Sequence, residues 1–495
     1  MVARGAGLAF LGKLGALIEP VSVIIFANLY GAPLLGIFML LWGYVLMATS
    51  AADLAMTTAL QRYVPATEDE ARNHSTLKAA LIISTSLGLV IAAAIALAAP
   101  FLARYLNADP AMTRDLPTIL AIYAWAIPIW TFVEVSTAAV RARRAFGPEV
   151  KIRIFYEQGL RLVSGVAFFA LGFHHYGLFV AHLLALGVAA LLCLRLLGRH
   201  YDLRLLWRAP LSVALLRELV VFGVPMMGSN MLKRFHSNFP LFVLNSLIPG
   251  AAGATAVAIY AVARKVVSAL QVFRQSFEYV IAPLASARNA LAGREALQDM
   301  YAFATRLICS LFIPAAAVAI VLRDDIVALV GPEFSEAAIL IVILTMGRGV
   351  EAATGPSQAL LEMLARSRTS LVNGVAGFLT SAVLMIWLTP LWGPAGAAVA
   401  TAIGICIPST LSLIQVQRGY GLSPYDRRLL RPVAAAFLGA AVVAGLVWLA
   451  DPYGAAGRMV AGALGLVVSF ALLLRFGYSG RDAATFGRVA RWIRH

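Results

Sequence analysis

Apolar runs long enough to cross a lipid bilayer recur from one end of this chain to the other, and nothing else in it limits the fold so strongly. A helix needs roughly 20 residues to span the hydrocarbon core. Fourteen such stretches, bounded by polar turns, lie near 6–28, 35–60, 79–103, 116–139, 152–171, 176–197, 218–246, 254–283, 298–321, 336–361, 370–389, 393–416, 430–450 and 457–475. Strands of a membrane barrel would alternate and be far shorter, so an all-α integral membrane protein with 14 transmembrane helices is expected. Composition agrees: 13% of residues are charged, against about 25% in soluble domains, and the mean hydropathy is +0.84. Residues 5–47 are apolar well beyond a signal-peptide core and no small-residue cleavage pattern follows, so the N-terminus reads as a first span.

The net charge is +16. In a soluble chain that would suggest nucleic acid. Here the positive-inside rule accounts for most of it. With the N-terminus placed inside, 27 of the 40 basic residues fall in inside segments and four (Arg104, Arg114, Arg323, Arg458) outside; nine lie within spans. One missed helix would invert that split. Both termini are therefore expected in the cytoplasm, with residues 479–495 as a basic amphipathic tail on the inner surface. The cysteines, Cys193, Cys309 and Cys406, sit in apolar stretches without disulfide or metal spacing. No cofactor and no metal are expected.

Matching landmarks recur at nearly one offset. Lys13 precedes Pro20 by seven residues, as Lys233 precedes Pro240, at an offset of 220; Tyr176-Gly177 corresponds to Trp392-Gly393 at 216. Pro65 and Pro283 stand 218 apart, and Arg144 and Arg366 222 apart. This predicts two pseudo-symmetric six-helix bundles, residues 1–198 and 218–417, joined by a basic linker at 199–217 and followed by helices 13 and 14 in 430–475. Such repeats are a transporter architecture, with alternating access by rocking of one bundle against the other.

A charge at mid-bilayer costs roughly 2.5–3.5 kcal/mol even on lenient scales, so each needs a reason. Glu157 and Arg161 are four apart and are expected to pair. Arg274 and Arg306 are near enough to span ends to snorkel, and Glu278 is placed to neutralise Arg274. Lys233 and Arg234 sit mid-span, with Asn230 and Ser237 on the Lys233 face. Arg264 and Lys265 lie about ten residues into the eighth span; Arg264, Gln271, Gln275 and Glu278 make a second polar stripe, and Arg348, Glu351, Gly355, Gln358 and Glu362 a third. Together with Lys13, these six cations (Lys13, Lys233, Arg234, Arg264, Lys265, Arg348) predict a wet cavity for a multivalent anion, not neutralised by those carboxylates. There is no Walker A pattern, and the longest outside loop, near 102–116, holds about 15 residues. Asp324-Asp325 is a weak candidate for catalysis, and His174, His175 and His182 read as interfacial. A transporter rather than an enzyme is expected.

The first half reads Leu29-Tyr30-Gly31, Leu35-Gly36-Ile37-Phe38, Asp53-Leu54-Ala55, Thr58-Ala59-Leu60 and Arg62-Tyr63-Val64-Pro65; the second reads Ala258-Ile259-Tyr260, Ile281-Ala282-Pro283-Leu284 and Leu329-Val330-Gly331-Pro332-Glu333-Phe334. This resembles the polysaccharide transporter branch, the O-antigen type flippases, of the multidrug/oligosaccharidyl-lipid/polysaccharide exporter superfamily. The resemblance runs over nearly the whole chain. It implies translocation of a polyprenyl-pyrophosphate-linked oligosaccharide across a bacterial inner membrane during surface polysaccharide (lipopolysaccharide or exopolysaccharide) biosynthesis, coupled to H+ or Na+, alongside polysaccharide polymerase or export partners. Asp53, Glu134 and Glu351 are then the candidate coupling carboxylates. Related peptidoglycan-precursor flippases usually carry an arginine-aspartate pattern in the first helix, where this chain has Lys13 and Glu19. Multidrug extruders take cations and suit an acidic cavity. A membrane-embedded polymerase or transferase is the alternative of a different class.

Overall fold

The computed structural model describes residues 18–145, 147–271, 274, 293–364 and 367–478. Lys13, Gln275, Glu278 and the tail at 479–495 lie outside the described residues. Every regular element among the described residues is a helix. The principal ones are α1 (Ile18–Asp53), α2 (Met56–Tyr63), α3 (Glu70–Leu102), α4 (Leu116–Tyr123), α5 (Ala126–Ala142), α6 (Glu157–Ala170), α7 (Gly177–His200), α8 (Val213–Leu247), α9 (Gly250–Ser268), α10 (Gly293–Val321), α11 (Ala337–Ala353), α12 (Ser357–Met363), α13 (Ser367–Tyr420), α14 (Leu430–Leu449) and α15 (Gly454–Leu472). Ten helical stretches among the described residues are long and apolar enough to cross a membrane. The protein is thus an all-α, multi-span membrane protein.

Local chemistry sets where helices begin. Asp69 caps α3 by accepting from the Ala71 and Arg72 amides at 2.9 and 3.2 Å, and the Ser212 hydroxyl accepts from Leu215 at the start of α8. Such caps satisfy amides that have no intrahelical partner. A straight 36-residue helix would reach about 54 Å, far beyond a bilayer's hydrocarbon thickness. α1 is instead broken at Gly31, and α13 at Gly393. Their φ values of 76° and 57° fall in the left-handed region that only glycine enters freely.

The chain forms two compact units, residues 1–258 and 259–495, with the division inside α9. In the first unit α1 packs on α3, α5, α6 and α8, and α7 lies against α5 and α6. α8, the fifth of the ten long apolar stretches, thus packs within the first unit. Asn107 and Asn245 clasp each other's backbones there: each side-chain amide donates to the other's carbonyl, at 2.6 and 2.7 Å. The connector before α8 is also fastened, since Lys78 Nζ donates to the Trp207 and Ala209 carbonyls at 2.6 and 2.9 Å. α8 itself carries Pro225 and Pro240. In the second unit α10 packs on α11 and α14, α11 on α13, and α14 on α15. Leu297, Tyr301, Leu360, Leu361 and Val416 form one apolar cluster there.

Charges within the helices find partners, some of them unexpected. Glu157 and Arg161 are paired at 3.4 Å and buried, as their spacing predicts. His182, expected at an interface, is instead fully buried, 2.7 Å from the Tyr123 hydroxyl and 3.4 Å from Glu157. Arg306 does not snorkel: it is buried and bonds to Asp426 at 2.6 Å, from a connection distant in sequence. Arg274 is held by Glu351, while Glu278, expected to neutralise it, lies outside the described residues. The reason is common to all of these. A charge kept from water takes the carboxylate that the packing brings to it, at whatever sequence distance.

Candidate anion-binding site

A cavity of about 350 Å3 opens inside the first unit, where the end of α1 meets α5 and α8. α1 and α2 supply Ser50, Asp53, Thr57 and Thr58; α5 supplies Glu134 and Arg141; α8 supplies Asn230, Lys233 and Arg234. Arg153 enters from Lys151–Tyr156, a widened turn that leads into α6. Asp53 accepts from the Thr57 amide at 3.1 Å and its hydroxyl at 2.8 Å, capping α2. The two residues between, Leu54 and Ala55, are both left-handed at φ 46° and 57°. Such a conformation costs a non-glycine residue of order 1 kcal/mol or more and persists only where packing enforces it.

Glu134 is the centre of the charge pattern. Arg234 donates to both its oxygens, at 2.8 and 3.0 Å. Arg153 approaches the same carboxylate at 3.5 Å, lies over the Trp130 ring at 4.6 Å, and bonds to Glu149 at 3.1 Å. Arg141 donates from Nη1 to both Glu149 oxygens, at 3.0 and 2.8 Å. Lys233 forms no ion pair among the described residues and lines the cavity with an exposed side chain. Four cations thus face Asp53 and Glu134 across the cavity, with Glu149 behind two of them. Two guanidinium groups converging on one carboxylate form an arrangement that a phosphate can take over, because Arg pairs with carboxylate and phosphate alike.

The second unit holds a related arrangement. Arg348 donates to Glu351 at 2.6 Å, and Arg274 bonds to the other oxygen. With its amide turned oxygen-first, Gln271 accepts from Arg348 at 3.1 and 2.7 Å. Arg264 and Lys265 are half-buried on α9. Glu134 and Glu351 stand 217 residues apart, within the offset of the internal repeat, and each begins the same pattern: Val133-Glu134 and then Thr137, Val350-Glu351 and then Thr354. Thr137 donates to the Val133 and Glu134 carbonyls, and Thr354 to the Glu351 carbonyl.

Of the six cations singled out in the sequence, Lys233 and Arg234 come together in the first cavity, and Arg348 lies beside Glu351 in the second unit. Arg234 is matched with Glu134 from another helix, a pairing invisible along one helix, and Arg348 with Glu351 three residues on along its own. Arg141 and Arg153 read as ordinary inside-loop charges and were missed. A signal was present: Glu134 and Arg141 are seven residues apart, two helical turns, and so share a face. Of the aspartate pair, Asp325 is taken up by Arg458 at 2.9 and 2.5 Å. Those hydrogen bonds hold its carboxyl below the usual carboxylate range.

With this fold and site, the chain is one of the membrane proteins built on the plan of the MOP superfamily. It belongs to the polysaccharide biosynthesis protein family, whose model matches residues 27–338. No curated protein matches it in sequence. Among solved structures, the lipid II flippase MurJ in an inward closed conformation superimposes with a TM-score of 0.73 at 12% identity, covering 94% of this chain and 98% of that one. An inward-facing multidrug resistance MATE family transporter of the MOP superfamily gives 0.67 at 17% identity, covering 83% and 94%. A MOP superfamily transporter from Pyrococcus furiosus, noted for a binding pocket of reverse polarity, gives 0.54 at 16%, covering 84% and 93%. Identities this low establish the common fold alone.

Proposed function

We propose that this protein moves a polyprenyl-pyrophosphate-linked oligosaccharide from the inner to the outer leaflet of a bacterial inner membrane, by alternating access, during surface polysaccharide biosynthesis. The observation that carries the reading is the cavity where Lys233, Arg234, Arg141 and Arg153 outnumber the carboxylates facing them, with Lys233 in no ion pair among the described residues. A pyrophosphate is a multivalent anion that such a set binds through charge-assisted hydrogen bonds. The sugars need a wet interior, and the lipid tail can stay in the bilayer.

The proposal includes 14 spans with both termini cytoplasmic. The glycine breaks divide two of the ten long helices, and α11 and the shorter stretch through α6 supply two more. Two bundles at 1–198 and 218–417 with an appended pair at 430–475 would follow from the repeat. Lys13, Arg264, Lys265 and Arg348 complete the anion path, and Asp53, Glu134 and Glu351 are the coupling carboxylates for H+ or Na+. A peptidoglycan lipid precursor is the second reading, favoured by the superposition on MurJ.

The test is leaflet translocation in proteoliposomes, with fluorescent polyprenyl-pyrophosphate oligosaccharide and lipid II as separate cargoes. Lys233→Gln should slow the oligosaccharide cargo at unchanged protein content. If Lys233→Gln, Arg153→Gln and Arg234→Gln combined leave the rate intact, the anion site is wrong; if only lipid II crosses, the second reading holds.

A further inference from the structure

A second cavity, of about 410 Å3, lies in the same unit around the break of α1 at Gly31. Pro33 borders it and Ser50 borders the first, so the two are separated by seventeen residues of α1, about 25 Å. Its size suits a small-molecule ligand. Its lining is unlike the first: Tyr30 and Phe169 form an aromatic wall, and Asp109, His174 and His175 come from the connections Ala103–Asp115 and Leu171–Tyr176. Among the described residues no lysine or arginine borders it.

The wall is fixed. Tyr30 donates its hydroxyl to the Gly165 carbonyl at 2.7 Å, and its ring meets Phe169 edge to face with centroids 5.1 Å apart. A Cβ at Gly177 would sit 2.7 Å from the Tyr30 oxygen, so the missing side chain there is what lets the tyrosine seat. The polar rim is also set. His175 Nδ1 is 2.7 Å from Asp115, and that contact, first among its causes, lowers the Asp115 pKa. It orients the imidazole and leaves Nε2 for another group. Asp109 uses Oδ1 to cap Ala111 at 2.8 Å, which leaves Oδ2 for a donor. His174 packs edge-on to Phe169 at 4.9 Å.

We infer that this cavity binds a pyranose ring of the cargo. A sugar offers an apolar C–H face, which suits a fixed aromatic wall, and hydroxyls, which suit a carboxylate and two imidazoles. A phosphate has no use for the aromatic rings and would meet Asp109. No group of three metal-ligating side chains exists among the described residues, which disfavours a metal. The choice of a saccharide rests on the proposed function. The two cavities then divide the cargo's head group by chemistry, charge at one end and sugar at the other.

Saturation-transfer NMR on the full chain in nanodiscs tests this, with glucose, galactose, rhamnose and N-acetylglucosamine as probes. Transfer to the ring protons of at least one probe is expected. Phe169→Leu should weaken it by up to roughly tenfold through lost stacking. His174→Ala, which keeps the Tyr30–Phe169 contact, and Asp109→Asn, which keeps the helix cap, should weaken it without loss of folded protein, and Lys233→Gln should leave it unchanged. No transfer from any probe overturns the inference. So does transfer undiminished in all three cavity variants, or displacement by added lipid headgroup rather than by sugar. If sugar binds as described while pyrophosphate binding ignores Lys233, Arg153 and Arg234, the proposed function fails and this site stands.

Discussion

Replacing Glu134 with glutamine should tighten anion binding while slowing transport, two effects rarely produced by one change. Glu134 now occupies Arg234 at 2.8 Å and Arg153 at 3.5 Å. An incoming phosphate must displace it or share its arginines. A carboxylate about 6 Å from a bound phosphate, at an effective dielectric of about 40 for a wet cavity, repels it by about 1.4 kcal/mol. Removing that charge should therefore strengthen pyrophosphate binding about tenfold. The variant keeps the shape of the side chain but weakens its bonds to Arg234, at a cost of about 1–3 kcal/mol in stability. Cargo release suffers, because Glu134 is no longer there to reclaim the arginines. Calorimetry with inorganic pyrophosphate and leaflet-exchange rates in proteoliposomes read both effects. Weaker pyrophosphate binding in Glu134→Gln, or faster transport, would refute the displacement reasoning.

Three further outcomes follow from the geometry. Arg306→Ala should lower the melting temperature by several degrees, and more than Asp426→Asn, because burial is complete on the arginine side; thermal scans in detergent check it, and equal shifts would contradict it. The stability from Asp325 should be fully present above its ordinary value of 3.8 and be lost as pH falls through the depressed value that Arg458 imposes; the gap in melting temperature between wild type and Asp325→Asn should therefore be constant near neutrality and close below that value. Gly31→Ala and Gly393→Ala should each cost about 1–2 kcal/mol, since alanine pays for the left-handed backbone; unchanged unfolding midpoints would mean the breaks relax.

What could be read in advance divides by distance along the chain. Hydrophobic runs specify helices, and the Glu157–Arg161 pair is legible because four residues make one turn. The Asp53–Thr57 cap is legible on the same ground. Glu134 and Arg234 are 100 residues apart, and no local period reports which helix will lie beside which. Arg306 with Asp426 and Arg274 with Glu351 are hidden for the same reason. Arg153 was hidden differently: it sits at a helix entry, where the positive-inside rule already explains an arginine and so removes the motive to ask for another use. The repeat could have recovered more, because the Val-Glu-x-x-Thr pattern marks the buried carboxylate in both halves.

The fastening of the connector by Lys78 bears on how α8 can move. A rod clamped near its foot cannot slide along its axis; it has to flex, and it flexes where its internal ladder is already interrupted. Pro225 and Pro240 are those joints. Lys233 and Arg234 ride on the lever between them, so a modest change of angle at either joint sweeps both charges through an arc while the base stays still.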